Sequence, residues 1–567
     1  MAERDPRHDQ MFPTLSLTDI DRIRPFAQPV FYTDGAMLFR AGDPAPGMFL
    51  VLSGQVSVTA RDGLGHVAPV IEQGPGQFVA ESAQLSDSNA LVDGRADGPV
   101  TALLLNPQNL RSLIVAEADL GARITRALIL RTVNLLQSDV GGSALIGAPA
   151  GRDMVRLREF LRRNSLPHHV FDPATQPEAA ALIALHGAAG SDLPLVLTAD
   201  GSVLRNPTNQ TVAHRLGKGS VHDPNEVFDV AVVGAGPAGL STAVYAASEG
   251  LSVAVLDARS FGGQAGASAR IENYFGFPTG ISGQALVGRA YVQAQKFGAR
   301  MMIPAEVRHL VCDDPTGLFK LELQGADPVM ARSVVVASGA RYRRPDIAGI
   351  SRFEGSGVWY WASASEIALC KGEDVIVVGG GNSSGQAVVH LASFVRRVLM
   401  MVRGPSLAAS MSRYLVDRIR SIPNVALMVE TDVVNLSGDT SLTHVDWRSR
   451  QNGEVTRQAI RHLFVFAGAD PATDWLATCG IALDAARFVR TGHGWQGKPP
   501  RMLQTSVPGV FAIGDVRSGS VKRIGGAIGE GAQVSAAIHR YLACRPGSDL
   551  TGKTMAIPTL APTGANS

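Results

Sequence analysis

The chain has 567 residues, too many for one hydrophobic core, and ordinary domain sizes suggest about three or four units. Hydrophobic residues make up 45% and charged residues 18%, with 61 glycines, a mix that fits α/β layers with many tight turns rather than a coiled coil or a disordered chain. A net charge of +2, a pI near 8.4 and the lack of any long basic run give no case for nucleic acid.

The first residues, Met1 to Gln10, are charged and lack the apolar stretch of a signal peptide. No apolar run approaches the length of a membrane span, so a cytoplasmic protein is expected. Cys312, Cys370, Cys479 and Cys544 form no disulfide framework. They read as buried reduced thiols, with Cys544, near the end of the last helix, the most exposed. No metal site is expected.

Residues from about Phe31 to Leu105 read as short strands punctuated by glycine: Met48-Phe-Leu-Val-Leu, Gln55-Val-Ser-Val and Val100-Thr-Ala-Leu-Leu-Leu, with turns at Gly42-Asp-Pro and Gly74-Pro-Gly. That spacing predicts a small antiparallel roll. A helical stretch follows, from about Gln108 to Gln137, closing a first domain over residues 1–137. After a linker at Ser138-Asp-Val-Gly-Gly-Ser comes a compact unit over 143–217. It reads strand (Ala144-Leu-Ile), helix (Met154 to Asn164), strand (His169-Val-Phe), helix (Pro177 to His186), strand (Leu193 to Thr198), a hairpin at Ala199-Asp-Gly, and helix (Asn209 to Leu216). A second linker starts at Gly217. From Val227 onward strands and glycine loops alternate with helices, the mark of doubly wound α/β sheets. The tail over 546–567 is rich in Thr, Pro, Gly and Ser and reads as disordered.

Asp229-Val-Ala-Val-Val reads as a buried parallel strand running into Gly234-Ala235-Gly236-Pro237-Ala238-Gly239 and a helix from Leu240 to Glu249. Gly234 permits the tight turn, Gly236 lets the backbone approach a pyrophosphate, and Gly239 lets helix and strand pack closely. The next strand, Ser252 to Leu256, ends in Asp257, an acid spaced to bond ribose hydroxyls. The unit recurs as Asp374 to Val378, then Gly379-Gly-Gly381-Asn382-Ser383-Ser384, then a helix from Gly385 to Ser393. Ser384 takes the third small position. Here the following strand, Val398 to Val402, ends at Arg403, which suits the 2′-phosphate of NADP where an acid would suit NAD. Arg413 is the candidate second phosphate ligand; plain solvation is the alternative for both arginines. Val334-Val-Val-Ala-Ser-Gly339, Val510-Phe-Ala-Ile-Gly514-Asp515 and Gly525-Gly-Ala527-Ile-Gly-Glu-Gly531 complete the glycine-rich strand ends and helix starts. An acid at a strand end can hold a ribityl hydroxyl, and a helix start favours negative charge on a reduced flavin.

With these motifs in order, residues from about 226 to 543 resemble the low-molecular-weight thioredoxin reductase family. The matching stretches are Gly234 to Gly239, Gly262-Gly263-Gln264, Ile271-Glu-Asn273-Tyr, Gly379 to Ser383, Val510 to Asp515 and Lys522-Arg523-Ile524. The resemblance implies a split FAD domain (226–348 and 468–545) with an NADPH domain (349–467) inserted. It implies flavin contacts at Asp257, Gly262, Gly263, Gln264, Asn273, Asp515, Arg523 and Ile524, with Val307, Gly339, Gly514, Lys522 and Ala527 also assigned to the cofactor sites. It further implies a homodimer, with NADPH as donor in preference to NADH.

One departure bears on function. The family's redox-active Cys-x-x-Cys falls where this chain reads Val358-Trp-Tyr-Trp-Ala-Ser-Ala-Ser-Glu366, without cysteine. Dithiol exchange needs an attacking thiolate and a resolving thiol. Cys370 lies just beyond, has no near partner in sequence, and reads as structural.

The N-terminal unit resembles a cyclic-nucleotide-binding domain at Phe39-Arg-Ala-Gly-Asp-Pro, Met48 to Val58 and Gly76-Gln-Phe-Val-Ala-Glu81. Glu81 is the candidate cassette acid. Ala80 stands where that family has glycine, and Asn89 where it has the arginine that balances the cyclic phosphate. Arg95 is a conceivable substitute. The middle unit resembles a thioredoxin or glutaredoxin fold, with Pro194 at the cis-proline position and Ala148-Pro-Ala-Gly-Arg152, again without cysteine, where the dithiol would lie.

The reading is an NADPH-oxidising FAD enzyme that passes electrons to an unidentified acceptor, regulated through its first domain. Two alternatives stand: a thioredoxin-disulfide reductase using other thiols, and a flavin-based redox sensor or adaptor.

Overall fold

The structure is a computed structural model that describes residues 7–80, 89–137, 141–218, 222–313, 316–477, 479–492 and 501–544. Glu81 and the tail over 546–567 lie outside these residues, as do parts of both linkers.

The first domain is a six-stranded antiparallel roll. Its central path runs Gln28–Tyr32, Asp93–Leu105, Met48–Arg61, Val67–Gln73, and the short strands Met37–Phe39 and Phe78–Val79 join its edges. Alternation along Val56, Val58 and Ala60 puts these side chains inside, as a half-buried strand requires. The helical stretch predicted as continuous to Gln137 is two helices, Pro107–Ala116 and Ala118–Gln137, broken at Glu117. They fold back tightly: a side chain at Gly121 would stand 2.4 Å from the Ile114 carbonyl. Two short helices that the sequence pattern did not announce, His8–Met11 and Leu17–Ile23, precede the roll, the second closed by a capping box between Ser16 and Asp19.

The middle domain is a four-stranded sheet in the order Val203–Arg205, Leu195–Leu197, Ser143–Ile146, His168–Phe171, with only the last pair parallel. The Leu193–Pro194 bond is cis, as the resemblance implied.

The remainder holds two parallel sheets. The first runs Arg300–Met302, Val253–Leu256, Val230–Val233, Val334–Val336, Val510–Ala512. All four residues of Val230–Val233 are buried, because both faces are covered and an apolar run therefore replaces alternation. Helices Pro237–Ser248, Gly283–Lys296 and Ile524–Ala543 pack on one face. The other face meets a small layer, Val307–Val311, Phe319–Leu323 and Ala326–Ala331, with Val227–Phe228 at its edge. The second parallel sheet runs Val358–Trp359, His462–Val465, Asp374–Val378, Arg397–Val402, Val425–Val429, and carries an antiparallel layer of Thr431–Gly438, Leu442–Ser449 and Val455–Ala459. Both extra layers go beyond the simple alternation read from the sequence.

Strands Ala340–Tyr342 and Ala469–Pro471 pair antiparallel and are the two chain crossings between these sheets. They lie at the ends of the segment expected as an insertion.

Candidate functional site

The site begins with the first glycine loop. Gly234 sits at φ +113°, and a Cβ there would stand 2.2 Å from the Ala337 carbonyl, so only glycine passes. A Cβ on Gly239 would lie 1.8 Å from the Gly234 carbonyl, which fixes how closely helix Pro237–Ser248 approaches the strand. Ala235 and Ala238 are buried and Pro237 opens the helix. Gly236 is its N-cap, and the nearest atom to a Cβ there is Gly263 Cα at 3.9 Å. The space between Gly236 and Gly263 is thus a cradle that a side chain would fill, open at a helix N-terminus. It fits a pyrophosphate.

Asp257 does more than its predicted role. One carboxylate oxygen accepts from Ala235 N at 3.0 Å, and the other from Arg259 N at 2.9 Å and Ser260 N at 3.2 Å. It ties the glycine loop to the Arg259–Gly263 turn. Gly262 caps the short helix Gly263–Gly266, and the Gln264 amide donates to the Ala340 carbonyl at the first crossing strand. Gly339 precedes that strand and accepts from Ala472 N at 3.1 Å. Val307 is buried in the sheet with its side chain in the core, so only its backbone is available to a ligand. Asn273 is exposed on a bend.

The second strand-end acid, Asp515, is brought to the first loop. A Cβ on Gly514 would meet Ala238 Cβ at 3.0 Å. Burial pushes the Asp515 carboxyl up, and neighbouring Lys522 opposes the shift. The Lys522 ammonium donates to the Asp515 carbonyl at 3.3 Å and lies 4.0 Å from the Phe488 ring centroid. Arg523 is the N-cap of helix Ile524–Ala543, whose first turn holds Ile524 and Ala527. Glu530, one turn on, had no role that its sequence position alone suggested. It accepts from Gly514 N at 2.6 Å and from the Arg517 guanidinium, and so holds the Gly514–Asp515 turn in place.

In the second loop Gly379 lies at φ +139°, with a Cβ 2.7 Å from the Phe466 carbonyl. Gly381 caps helix Asn382–Leu391 and faces open space. Asn382 accepts from Ser412 N at 2.7 Å, yet its buried amide nitrogen has no partner. An orphaned donor beside an open helix start fits a nucleotide phosphate. Ser384 is buried and donates to the Gly381 carbonyl at 2.7 Å, which accounts for serine at the third small position. Arg403 extends beyond its strand and pairs with Asp432 at 3.0 Å, an acid that Arg450 also binds. Arg413 opens helix Arg413–Ser421, is 92% exposed, and lies 3.4 Å from Asp417. Neither arginine is tied into the protein core.

Tyr342 is half-buried on the first crossing strand, two residues after Ala340, whose carbonyl accepts from Gln264 of the first side. Burial raises the pKa of its phenol. Its ring meets Phe466 edge-on at 5.3 Å. No sequence signal marked Tyr342, because its role comes from the crossing.

The cysteine-free stretch packs inward. Trp359 is buried and donates to His462 at 3.2 Å, and Ser363 N donates to buried Glu366 at 2.9 Å. Cys370 is fully buried, donates to the Ile367 carbonyl at 3.4 Å, and burial pushes its thiol up to about 12. Cys544 is exposed, as expected. Cys312 and Cys479, far apart in sequence, lie in the same core layer, and the Cys479 thiol donates to the Leu476 carbonyl at 3.4 Å. They pack on the sheet face opposite the glycine-loop helix.

In the first domain a cavity of about 160 Å³ lies between the roll and helix Ala118–Gln137. Its walls are mainly apolar, with Gln73 and Arg131 among them. The Gln73 amide is 1% exposed and has no partner. Arg131 donates to the carbonyls of Met11, Phe78 and Ala80 at 2.8, 3.0 and 2.8 Å. Arg95 is exposed, donates to the Gly35 carbonyl at 3.2 Å, and is not among the residues lining this cavity. Asn89 instead bonds the Gly42 carbonyl at 2.6 Å.

Comparison with known proteins accords with this geometry. Residues 228–531 match the model of the pyridine nucleotide-disulphide oxidoreductase family, and residues 29–117 match the cyclic nucleotide-binding domain. The chain is 30% identical over 338 residues to an NADH dehydrogenase of Bacillus subtilis, covering 59% of this chain and 63% of that protein. It is 31% identical to one component of the alkyl hydroperoxide reductase of Escherichia coli, covering 56% and 58%, so it spans about three fifths of these two relatives. A thioredoxin reductase of Mycolicibacterium smegmatis is 31% identical, with 56% and 97% covered. Among solved structures, thioredoxin reductase from T. acidophilum shares 30% identity at a TM-score of 0.51, covering 55% of this chain and 98% of that one. The chain belongs to the pyridine nucleotide-disulphide oxidoreductase family.

Proposed function

We propose that the protein is an FAD-dependent oxidoreductase that oxidises NADPH and delivers electrons to an acceptor without an internal Cys-x-x-Cys. The observation that carries this reading is the crossing strand Ala340–Tyr342, whose Ala340 carbonyl accepts from Gln264 of the first site and whose Tyr342 ring meets Phe466, the residue whose carbonyl stands against Gly379 of the second. Two nucleotide sites joined through one short strand are arranged for transfer between their ligands. The stretch Val358–Glu366, with no cysteine, and the inert surroundings of Cys370 support an acceptor reached by another route.

FAD, when bound, supplies two-electron chemistry that side chains lack. The residues bind and orient. Gly236 and Gly263 leave room for the pyrophosphate, and the helix starting at Pro237 offers its free N–H groups to it. Asp257 braces that loop while retaining acceptor capacity for ribose. Asp515 is set at the strand end by Glu530, in reach of a ribityl hydroxyl. The Asn382 amide and the Gly381 helix start take the nicotinamide nucleotide's phosphates, and Arg403 favours the 2′-phosphate of NADPH over the hydroxyl of NADH.

The named relatives include an NADH dehydrogenase, an alkyl hydroperoxide reductase component and thioredoxin reductases, and this range leaves the acceptor to a screen of quinones, dioxygen, disulfides and redox proteins. The first domain is the regulatory unit, and the protein acts in the cytoplasm as a homodimer. Stopped-flow mixing of FAD-loaded protein with NADPH tests the core reading: flavin absorbance bleaches within seconds, and no bleaching over minutes refutes it. Calorimetry with cyclic AMP and cyclic GMP tests the ligand of the first domain; absence of heat with both refutes cyclic-nucleotide control.

A further inference from the structure

The middle domain carries no dithiol, yet one of its helices touches both nucleotide-binding domains. Helix Arg152–Arg163 turns Met154, Leu157, Phe160 and Leu161 into its own domain's core. Val155, on the other side, is buried in the core of the inserted domain with Trp359, Ile367 and Cys370. Arg152, at the start of the helix, packs against Gly355 of that same domain.

The far end meets the flavin side. Arg163 Nη2 donates to the Gly263 carbonyl at 2.5 Å, and Asn164 Nδ2 donates to the Arg259 carbonyl at 3.0 Å. The Arg163 side chain is only 13% exposed, and its buried Nε has no hydrogen-bond partner. Its charge faces Glu159, 3.9 Å away, and Asp257, the acid that braces the first glycine loop. An arginine this deep needs compensation, and here two acids and a backbone carbonyl provide it. The carbonyl is that of Gly263, whose Cα side forms one wall of the cradle. In a trans peptide the carbonyl and the following N–H point in opposite directions. By holding the Gly263 carbonyl, Arg163 therefore turns the Gln264 N–H away from itself, free for a ligand acceptor.

The two nucleotide-binding domains are joined by two crossing strands, a connection that permits rotation, and by the ion pair Arg418–Glu272 at 2.5 Å. A helix fixed to both sides constrains that rotation. We propose that Arg163 is a positioning residue for the flavin site and that the middle domain is a strap: its helix holds the loop Arg259–Gly263 at one end and the inserted domain at the other, so that filling the FAD site and orienting the inserted domain are one linked event. The inference rests on the FAD reading above.

The test uses the full chain stripped of flavin and titrated with FAD. Hydrogen exchange on the wild type slows in residues 259–266, where FAD binds, and also in 152–164 and 358–369. In Arg163→Met the FAD Kd rises about tenfold or more, as loss of a charged hydrogen bond implies, and protection becomes confined to 259–266. Arg163→Lys recovers part of the affinity, because it keeps the charge without the planar fork. Should Arg163→Met fail to fold, Asn164→Ala replaces it, with a smaller rise expected. The strap is overturned if the wild type binds FAD while exchange in 152–164 stays unchanged, or if folded Arg163→Met binds FAD within twofold of wild type. A wild type that binds no FAD overturns the cofactor reading instead.

Discussion

Glu530 offers the sharpest check on how the flavin side is built. Its carboxylate is 14% exposed and accepts from Gly514 N at 2.6 Å and from two nitrogens of Arg517, itself only 20% exposed. Glu530→Ala leaves a mostly buried guanidinium and a backbone N–H without their acceptor, which costs about 3 kcal/mol. Glu530→Gln keeps one oxygen for Gly514 N but loses the charge and turns its amide N–H2 toward Arg517, a donor where an acceptor stood, about 1–2 kcal/mol. Both effects fall on the turn that presents Asp515. They are expected in FAD affinity more than in a single unfolding free energy, which a multidomain chain does not define. At about 1.4 kcal/mol per tenfold, FAD binding weakens about a hundredfold in the alanine variant and about tenfold in the glutamine variant. Flavin fluorescence during titration of the stripped protein measures both. Equal affinity in all three proteins, or a glutamine variant weaker than the alanine one, refutes the reasoning.

Gly239→Ala places a methyl 1.8 Å from the Gly234 carbonyl and should yield protein that retains no FAD, whereas Gly381→Ala meets no atom within 4 Å and should keep its melting temperature while the KM for NADPH rises. Arg403→Ala should raise the KM for NADPH about tenfold with little change for NADH, and Asp432→Asn, which frees Arg403 from its partner, should lower the KM for NADPH; identical changes for both donors would remove Arg403 from the site. Burial and the nearby charge of Glu159 raise the pKa of Glu366, with Arg158 the opposing cation. A raised acid binds its proton more tightly when folded, so stability falls as pH climbs from the ordinary glutamate value of 4.5 through the raised one. Urea midpoints should show that slope in the wild type and lose it in Glu366→Gln. Thiol titration should find Cys544 reacting first and Cys370→Ser turning over like the wild type; a slower variant would reopen the thiol route.

The strands and glycine loops of the candidate nucleotide sites were legible because their physics is local. Val230–Val233 and Asp374–Val378 are apolar runs that end in glycines with restricted backbone, and the structure places both as read. Elements that depend on what packs against them were less visible. The apolar spacing runs through Glu117, so nothing local announced the helix break there. Thr431–Gly438 and Val455–Ala459 are largely polar, and only the sheet beneath them makes them strands. Tyr342, Glu530 and Arg163 acquire their roles from partners distant in sequence, as do Cys312 and Cys479, and no periodicity encodes such meetings.

The crossing strands have a consequence for how such a chain could be assembled. Ala340 pairs with Pro471 and Tyr342 with Ala469, so the inserted domain leaves and re-enters its host at neighbouring points. A segment with adjacent ends behaves as an interchangeable cassette. On the proposed function, a foreign dinucleotide module grafted between these strands would change the reductant without rebuilding the flavin side, provided it also offered a surface to Val155. The demand for that second fit makes the graft a three-body problem, because the module must match the host at the crossing and the middle domain at Val155.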